Sequence, residues 1–206
     1  DRIKKGSFDK RRESYYLTIE DIIKARILMQ HNSKKFDIQS RLLWELFLES
    51  ANRISAIQNL KISQLNLKEG YFKDVKEKGN KIVDVIFLDN TEKVLQEWLE
   101  YRKENNLVSD YLFITKEGGQ CRQMAQSTIR SRIKKIGELL GNDKLYPHTL
   151  RKTAINLLKN IADINTASEF ANHNNINTTR EHYIKARTGA ENREKIRQLK
   201  REKGLI

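Results

Sequence analysis

Apolar residues recur at helical spacing along most of this chain, and one block departs from that rule. Across residues 62–88 they alternate instead, interrupted by Lys76-Glu77-Lys78-Gly79-Asn80-Lys81. A period near four places side chains on one face of a helix, and a period of two places them on one face of a strand. The pattern therefore predicts a mainly α domain with a small three-stranded antiparallel β-sheet at one edge. Strands are expected at residues 62–67, 71–75 and 82–88. Gly79 and Asn80 tolerate the positive φ that a tight turn between the last two needs.

The helical segments carry their own punctuation. Thr18-Ile19-Glu20-Asp21 reads as a capped start, followed by Ile22, Ile23, Ile27 and Leu28. A second helix is expected over residues 38–49, with Leu42, Leu43, Leu46 and Phe47 inward and Trp44 packing rather than functional. Arg53 opens another helical segment, with Leu60 beyond it. Residues 91–104 and 128–140 follow, the latter turned inward by Ile129, Ile133 and Ile136. Between them lies a short apolar piece, residues 111–114, before a Gly118-Gly119 turn. Pro147 is the only proline and suits the entry to a helix running through Leu158. Residues 164–171, 178–186 and 192–203 complete a helix-rich second half. The expected organisation is a basic arm or linker at 1–16, one domain at 17–188 and a helical tail at 189–206.

Charge narrows the partner. The 206 residues carry a formal net charge of +13, an excess that favours a polyanion such as DNA or RNA over a merely soluble basic surface. A single cysteine, Cys121, excludes an internal disulfide framework and a cysteine-rich metal site. No run approaches the roughly 18 apolar residues of a membrane span. A cytoplasmic, DNA-associated protein with no membrane partner is the expectation.

Six polar residues suggest the chemistry. His148 and Arg151 are three apart and share a helix face. Arg53 stands in a stretch with no acidic residue at helical distance except Glu49. An arginine fork matches phosphate oxygens and stays charged at any working pH, so two of them can neutralise a phosphodiester as charge builds in a pentavalent transition state. Tyr183 is a candidate nucleophile whose attack on phosphorus would store the bond as a phosphotyrosine. His173 can move a proton or bond the phosphate, and Lys78 on the hairpin can protonate a leaving 5′ oxygen. Nothing in the pattern demands a metal or another cofactor: there is no HExxH, no cysteine pair and no carboxylate cluster. Singly, each residue also has an ordinary reading, with Tyr183 as a packing aromatic and Lys78 as a solvated turn.

In this order the residues resemble the catalytic domain of the tyrosine recombinases, the Xer and phage-integrase family. The resemblance runs from about Thr18 to Ala186. Asn52-Arg53-Ile54-Ser55 is similar to the first arginine motif. Lys78-Gly79-Asn80-Lys81 is similar to the β-hairpin lysine motif, with Lys78 at the catalytic position in preference to Lys81. Pro147-His148-Thr149-Leu150-Arg151 resembles the HxLR box, and the stretch from His173 to Tyr183 resembles the last histidine and nucleophile block. The resemblance implies that Arg53, Arg151, His148 and His173 bind the scissile phosphate. It implies that Tyr183 forms a 3′-phosphotyrosine and that Lys78 protonates the 5′ leaving group, without metal or ATP. It further implies strand exchange through a Holliday junction in a synaptic tetramer on a specific, palindromic double-stranded DNA site. Members carry an N-terminal helical domain that clasps DNA. The expectation is that this chain lacks it, residues 1–16 being its linker, and binds DNA more weakly than a longer form. The tail at 189–206 is expected to dock on a neighbouring protomer.

Some positions depart from the family pattern. The usual glycine-containing lead into the first arginine is Ser50-Ala51-Asn52. The glutamate common three residues after that arginine is Ala56. Arg151 is followed by Lys152-Thr153-Ala154, and Asn172 replaces the glycine before the last histidine. The core polar groups are all present, which argues against a non-catalytic DNA-binding protein on the same fold. A DNA-relaxing enzyme of the type IB topoisomerase kind shares the chemistry and differs in resealing the same strand.

Overall fold

The computed structural model describes residues 15–161 and 189–202. The expected helices at 164–171 and 178–186, with His173 and Tyr183, lie outside the described residues, as does nearly all of the 1–16 arm. The described chain runs α1 (Ile19–His31), α2 (Ile38–Ser50), α3 (Ile54–Gln58), a 3₁₀ turn (Ile62–Gln64), β1 (Leu65–Asn66), β2 (Tyr71–Lys76), β3 (Ile82–Ile86) and α4 (Asp89–Glu104). It continues through β4 (Ile114–Glu117), β5 (Gln120–Gln123), α5 (Gln126–Leu139), α6 (Pro147–Ile161) and α7 (Gly189–Glu202). Among the described residues no helix is long and apolar enough to cross a membrane.

Helix α2 is the axis of the fold. Leu42, Leu43, Trp44, Leu46 and Phe47 are all inaccessible to solvent, so the helix is buried nearly all round and packs against α4, α5 and α6. Each such side chain contributes about 1.5–3 kcal/mol by leaving water. Trp44 is a packing residue, as expected. Helix α1 starts on the capping box read from sequence: Thr18 Oγ1 accepts from Asp21 N at 3.1 Å, and Asp21 Oδ2 accepts from Thr18 N at 3.0 Å. Its buried face is Ile22, Ala25 and Met29, however, and Ile23 and Ile27 are exposed. Apolar character alone did not reveal which of two competing stripes meets the core.

The three-stranded sheet is antiparallel in the order β1-β2-β3. Its first strand is shorter than the alternation suggests, because residues 62–64 close a 3₁₀ turn instead. A bulge between Phe72 and Val75 gives Asp74 a φ of 53°, and the β2–β3 turn places Gly79 and Asn80 at φ 79° and 60°. A second sheet was not expected. Residues 114–123 form the β4–β5 hairpin over Gly118-Gly119, whose φ values of 56° and 81° suit glycine.

Helix α7 lies against its own chain. Ile196 joins Ala51, Ile86, Leu88, Ala154 and Leu158 in a small apolar cluster. Arg193 donates from Nε to the Phe87 carbonyl at 2.9 Å and from Nη2 to Glu92 at 3.1 Å. Gly70 makes this possible, since a Cβ there would fall 1.7 Å from Arg193 Nε. Arg197 pairs with Asp89 at 2.5 Å.

Candidate active site

Two arginines far apart in sequence are brought together by one carbonyl. Helix α2 ends at Ala51, which adopts a left-handed φ of 51°. Ser50 and Asn52 brace this reversal: Asn52 N donates to Ser50 Oγ at 3.3 Å, and Asn52 Nδ2 donates to the Ser50 carbonyl at 3.2 Å. The reversal turns the Ala51 carbonyl toward α6, where Arg151 Nη1 donates to it. Two residues on, Arg53 caps the start of α3 with an extended backbone. A left-handed position favours glycine; here alanine carries the strain and adds a fully buried methyl.

Helix α6 presents the second pair. Pro147 is its first residue, with the fixed φ suited to that place. Leu150, Ala154 and Leu158 are buried and anchor the helix, and Thr153 Oγ1 accepts from Leu17 N at 3.0 Å. His148 and Arg151 occupy the first turns on the cleft side.

Arg53, Lys78, His148 and Arg151 all line one cleft of about 690 Å³, together with Glu77, Gln126 and Arg130. Four of the six residues singled out in sequence thus share a wall; His173 and Tyr183 lie outside the described residues. The hairpin is tied to α3, with Lys78 N donating to Ser55 Oγ at 3.2 Å and Asn59 Nδ2 to the Lys76 carbonyl at 2.8 Å. Lys78 is exposed on the cleft rim. Lys81 is half-buried on the other limb of the turn, where burial lowers its pKa, opposed by Glu77 and reinforced by Arg53 and Arg151.

The site also holds a carboxylate that sequence reasoning missed. Arg53 Nη1 donates to Glu77 Oε2 at 2.6 Å, and the Glu77 side chain is inaccessible to solvent. Glu49, the only acidic residue near Arg53 at helical distance, faces α4 instead. A usable signal existed: Glu77 is two residues past the buried Val75, so the strand period turns it inward. Gln126 and Arg130 of α5 line the cleft as well, and Arg130 Nη2 donates to Gln126 Oε1 at 3.0 Å.

The electrostatics follow from crowding of cations. Burial lowers the Arg151 pKa to about 10, with Arg53 adding repulsion and Glu77 opposing it; the guanidinium still carries its charge at neutral pH. Burial likewise lowers His148 from the ordinary 6.5, helped by Lys152, Arg151 and Arg53. The free protein therefore holds this imidazole neutral at pH 7, with one N–H to donate. A lowered histidine binds fewer protons folded than unfolded. Its contribution to stability is present above pH 6.5 and lost as pH falls through the folded value. An NMR titration of the free chain should place His148 below the ordinary value, and Lys152→Gln should move it upward. A value at or above 6.5 in the unaltered chain contradicts the cation crowding.

The chain is similar to known proteins over most of its length. Residues 19–189 match the model of the phage integrase family. A tyrosine recombinase XerC from Mannheimia succiniciproducens is 32% identical over 155 residues, covering 74% of this chain and 51% of that protein. A XerC from Thermodesulfovibrio yellowstonii is 31% identical over 173 residues, covering 80% and 56%. The chain thus spans about half the length of these relatives. Among solved structures, the XerA recombinase superposes with a TM-score of 0.64 at 24% identity, covering 92% of this chain and 65% of that one. The XerH site-specific recombinase bound to its difH substrate superposes with a TM-score of 0.64 at 25% identity, covering 80% and 48%.

Proposed function

We propose that this chain, which belongs to the phage integrase family, is the catalytic part of a tyrosine recombinase that breaks and rejoins DNA strands at a specific site. The observation that carries the reading is the convergence of Arg53, Lys78, His148 and Arg151 on one cleft from three separate segments, the start of α3, the β2–β3 turn and α6. Those groups suit a phosphodiester and little else, since together they offer two guanidinium forks, an ammonium and a neutral imidazole donor.

In this reading Arg53 and Arg151 bind the two nonbridging oxygens of the scissile phosphate. His148 donates its N–H to the same group, and His173 supports it. The Tyr183 phenol attacks phosphorus and the P–O bond to the 5′ oxygen breaks. The phenol passes its proton to the His173 imidazole, and Lys78 gives one to the leaving oxygen. The 5′-hydroxyl of a partner duplex later attacks the 3′-phosphotyrosine and returns the phenol. The partners are a palindromic double-stranded site and three further copies of the chain around a synapse, and the setting is the cytoplasm, on DNA. Helix α7 would then pass from its own chain to a neighbour's. Residues 17–188 would form the catalytic domain behind a linker at 1–16.

Trapping on nicked duplexes tests this. The nick lets the fragment bearing the 5′-hydroxyl diffuse away, so the covalent step cannot reverse. The unaltered chain should give a protein–DNA adduct on denaturing gels, at one position and without divalent metal, and Tyr183→Phe should give none. An adduct that persists in Tyr183→Phe would remove the tyrosine from its role. Relaxation of a supercoiled plasmid lacking any such site would favour a topoisomerase.

A further inference from the structure

Glu77 has no place among the six residues above, yet among the described residues it is the one carboxylate lining their cleft. Its side chain is inaccessible to solvent, and its Oε1 accepts no hydrogen bond among the described residues. A buried carboxylate satisfied on one oxygen is a poor way to stabilise a hairpin; an apolar side chain of similar volume commonly does better. Its field instead reaches every cation in the inner part of the site. It bonds Arg53 directly, and it offsets the crowding of Arg151 and Lys81. Helix α3 itself carries no carboxylate, and Ala56, three residues after Arg53, has its methyl fully buried in the core.

We propose that Glu77, just past the end of β2, is the positioning residue of the phosphate clamp. The inference rests on reading the cleft as a phosphodiester site. By engaging Arg53 Nη1, Glu77 fixes the plane of the guanidinium and leaves its other N–H groups for a phosphate. It also lets two like charges stand together before substrate arrives. Because Glu77 N donates to the Lys81 carbonyl at 2.7 Å and Lys78 N bonds Ser55, the same contact sets the hairpin lysine against Arg53. Glu77 touches no reacting atom and acts through Arg53.

Two measurements test the assignment. The first compares cleavage of a nicked duplex carrying an ordinary scissile phosphate with one carrying a methylphosphonate, in which a methyl group replaces one charged oxygen. The neutralised centre needs one arginine fewer. Glu77→Gln should slow cleavage of the phosphate by about 10²-fold, as a small misplacement of a clamp does, and Arg53→Ala should show the same pattern. Both should lose far less on the methylphosphonate. Equal losses of Glu77→Gln on the two substrates would mean a structural role only, and cleavage at the unaltered rate would remove the role altogether. The second measurement needs no activity. In the arginine side-chain ¹⁵N spectrum of the unaltered chain, Arg53 (assigned through Arg53→Lys) should show split, slowly rotating Nη signals that merge in Glu77→Gln. Merged signals in the unaltered chain would overturn the proposal. A chain that forms no Tyr183-dependent adduct but keeps the split signals would overturn the functional reading and leave Glu77's hold on Arg53 standing.

Discussion

Arg53→Ala is expected to slow strand cleavage by about 10²–10³-fold, the usual effect of removing one preorganised donor from a developing oxyanion. It should also weaken the fold, for a separate reason. The substitution leaves the Glu77 carboxylate buried without its partner. Orphaning one member of a fully buried pair costs about 3–5 kcal/mol. Arg53 is 43% exposed in its side chain, so water already screens the pair and the expected cost falls to about 2 kcal/mol. The two effects can be parted. Arg53→Ala combined with Glu77→Leu should recover most of the lost stability in urea, because no charge remains buried, and should recover none of the rate. Single-turnover cleavage and equilibrium unfolding on the same preparations decide the matter. If rate returned together with stability, the catalytic loss of the single variant would be a folding loss and Arg53 would not bind the phosphate.

Much of this was readable from residue order, and the parts that were not share a cause. Arg53, Lys78, His148 and Arg151 stood out because their chemistry is rare in combination, and the structure brings these four to one cleft. Pro147 at the first position of α6 and the Thr18–Asp21 box were legible because both are local rules. Glu77 was hidden in a run of lysines, where composition suggests a solvated turn; only its register with Val75 sets it inward. The β4–β5 hairpin escaped because residues 120–123 are polar apart from Cys121, with one face exposed and the other only half-buried. The buried stripe of α1 was ambiguous between Ile22-Ala25-Met29 and Ile19-Ile23-Ile27, and the choice depends on what packs opposite. Sequence patterns specify elements; which charged groups meet across elements is decided by tertiary contact.

Glu49 is the clearest such meeting. Helix α4 begins after Leu88, whose side chain cannot cap it. The cap comes from the last turn of α2 instead. Glu49 Oε2 accepts from Leu88 N at 2.9 Å and from Thr91 N at 3.1 Å, and Oε1 accepts from Asn90 Nδ2 at 3.0 Å. The Thr91 contact serves the same amide that a local cap residue would serve. Glu49 is 1% exposed, so water cannot replace it. Glu49→Ala should therefore destabilise the chain by about 4 kcal/mol, from two buried amides left unpaired at about 1–3 kcal/mol each together with the cavity. Glu49→Gln keeps an acceptor and should lose less than half as much. Helix α7 should respond as well. Burial lowers the pKa of its Lys200, and Glu49 is the leading group opposing that shift, with Glu45 assisting and Arg26 acting against. Without Glu49 the ammonium sits among cations with weaker compensation, and α7 should loosen before the rest. Urea unfolding gives the total, and hydrogen exchange in Glu49→Ala should show α7 and the first turn of α4 losing protection ahead of α2. A loss below about 1 kcal/mol would mean that the first amides of α4 find another acceptor, and that the cap across helices does not hold the two together.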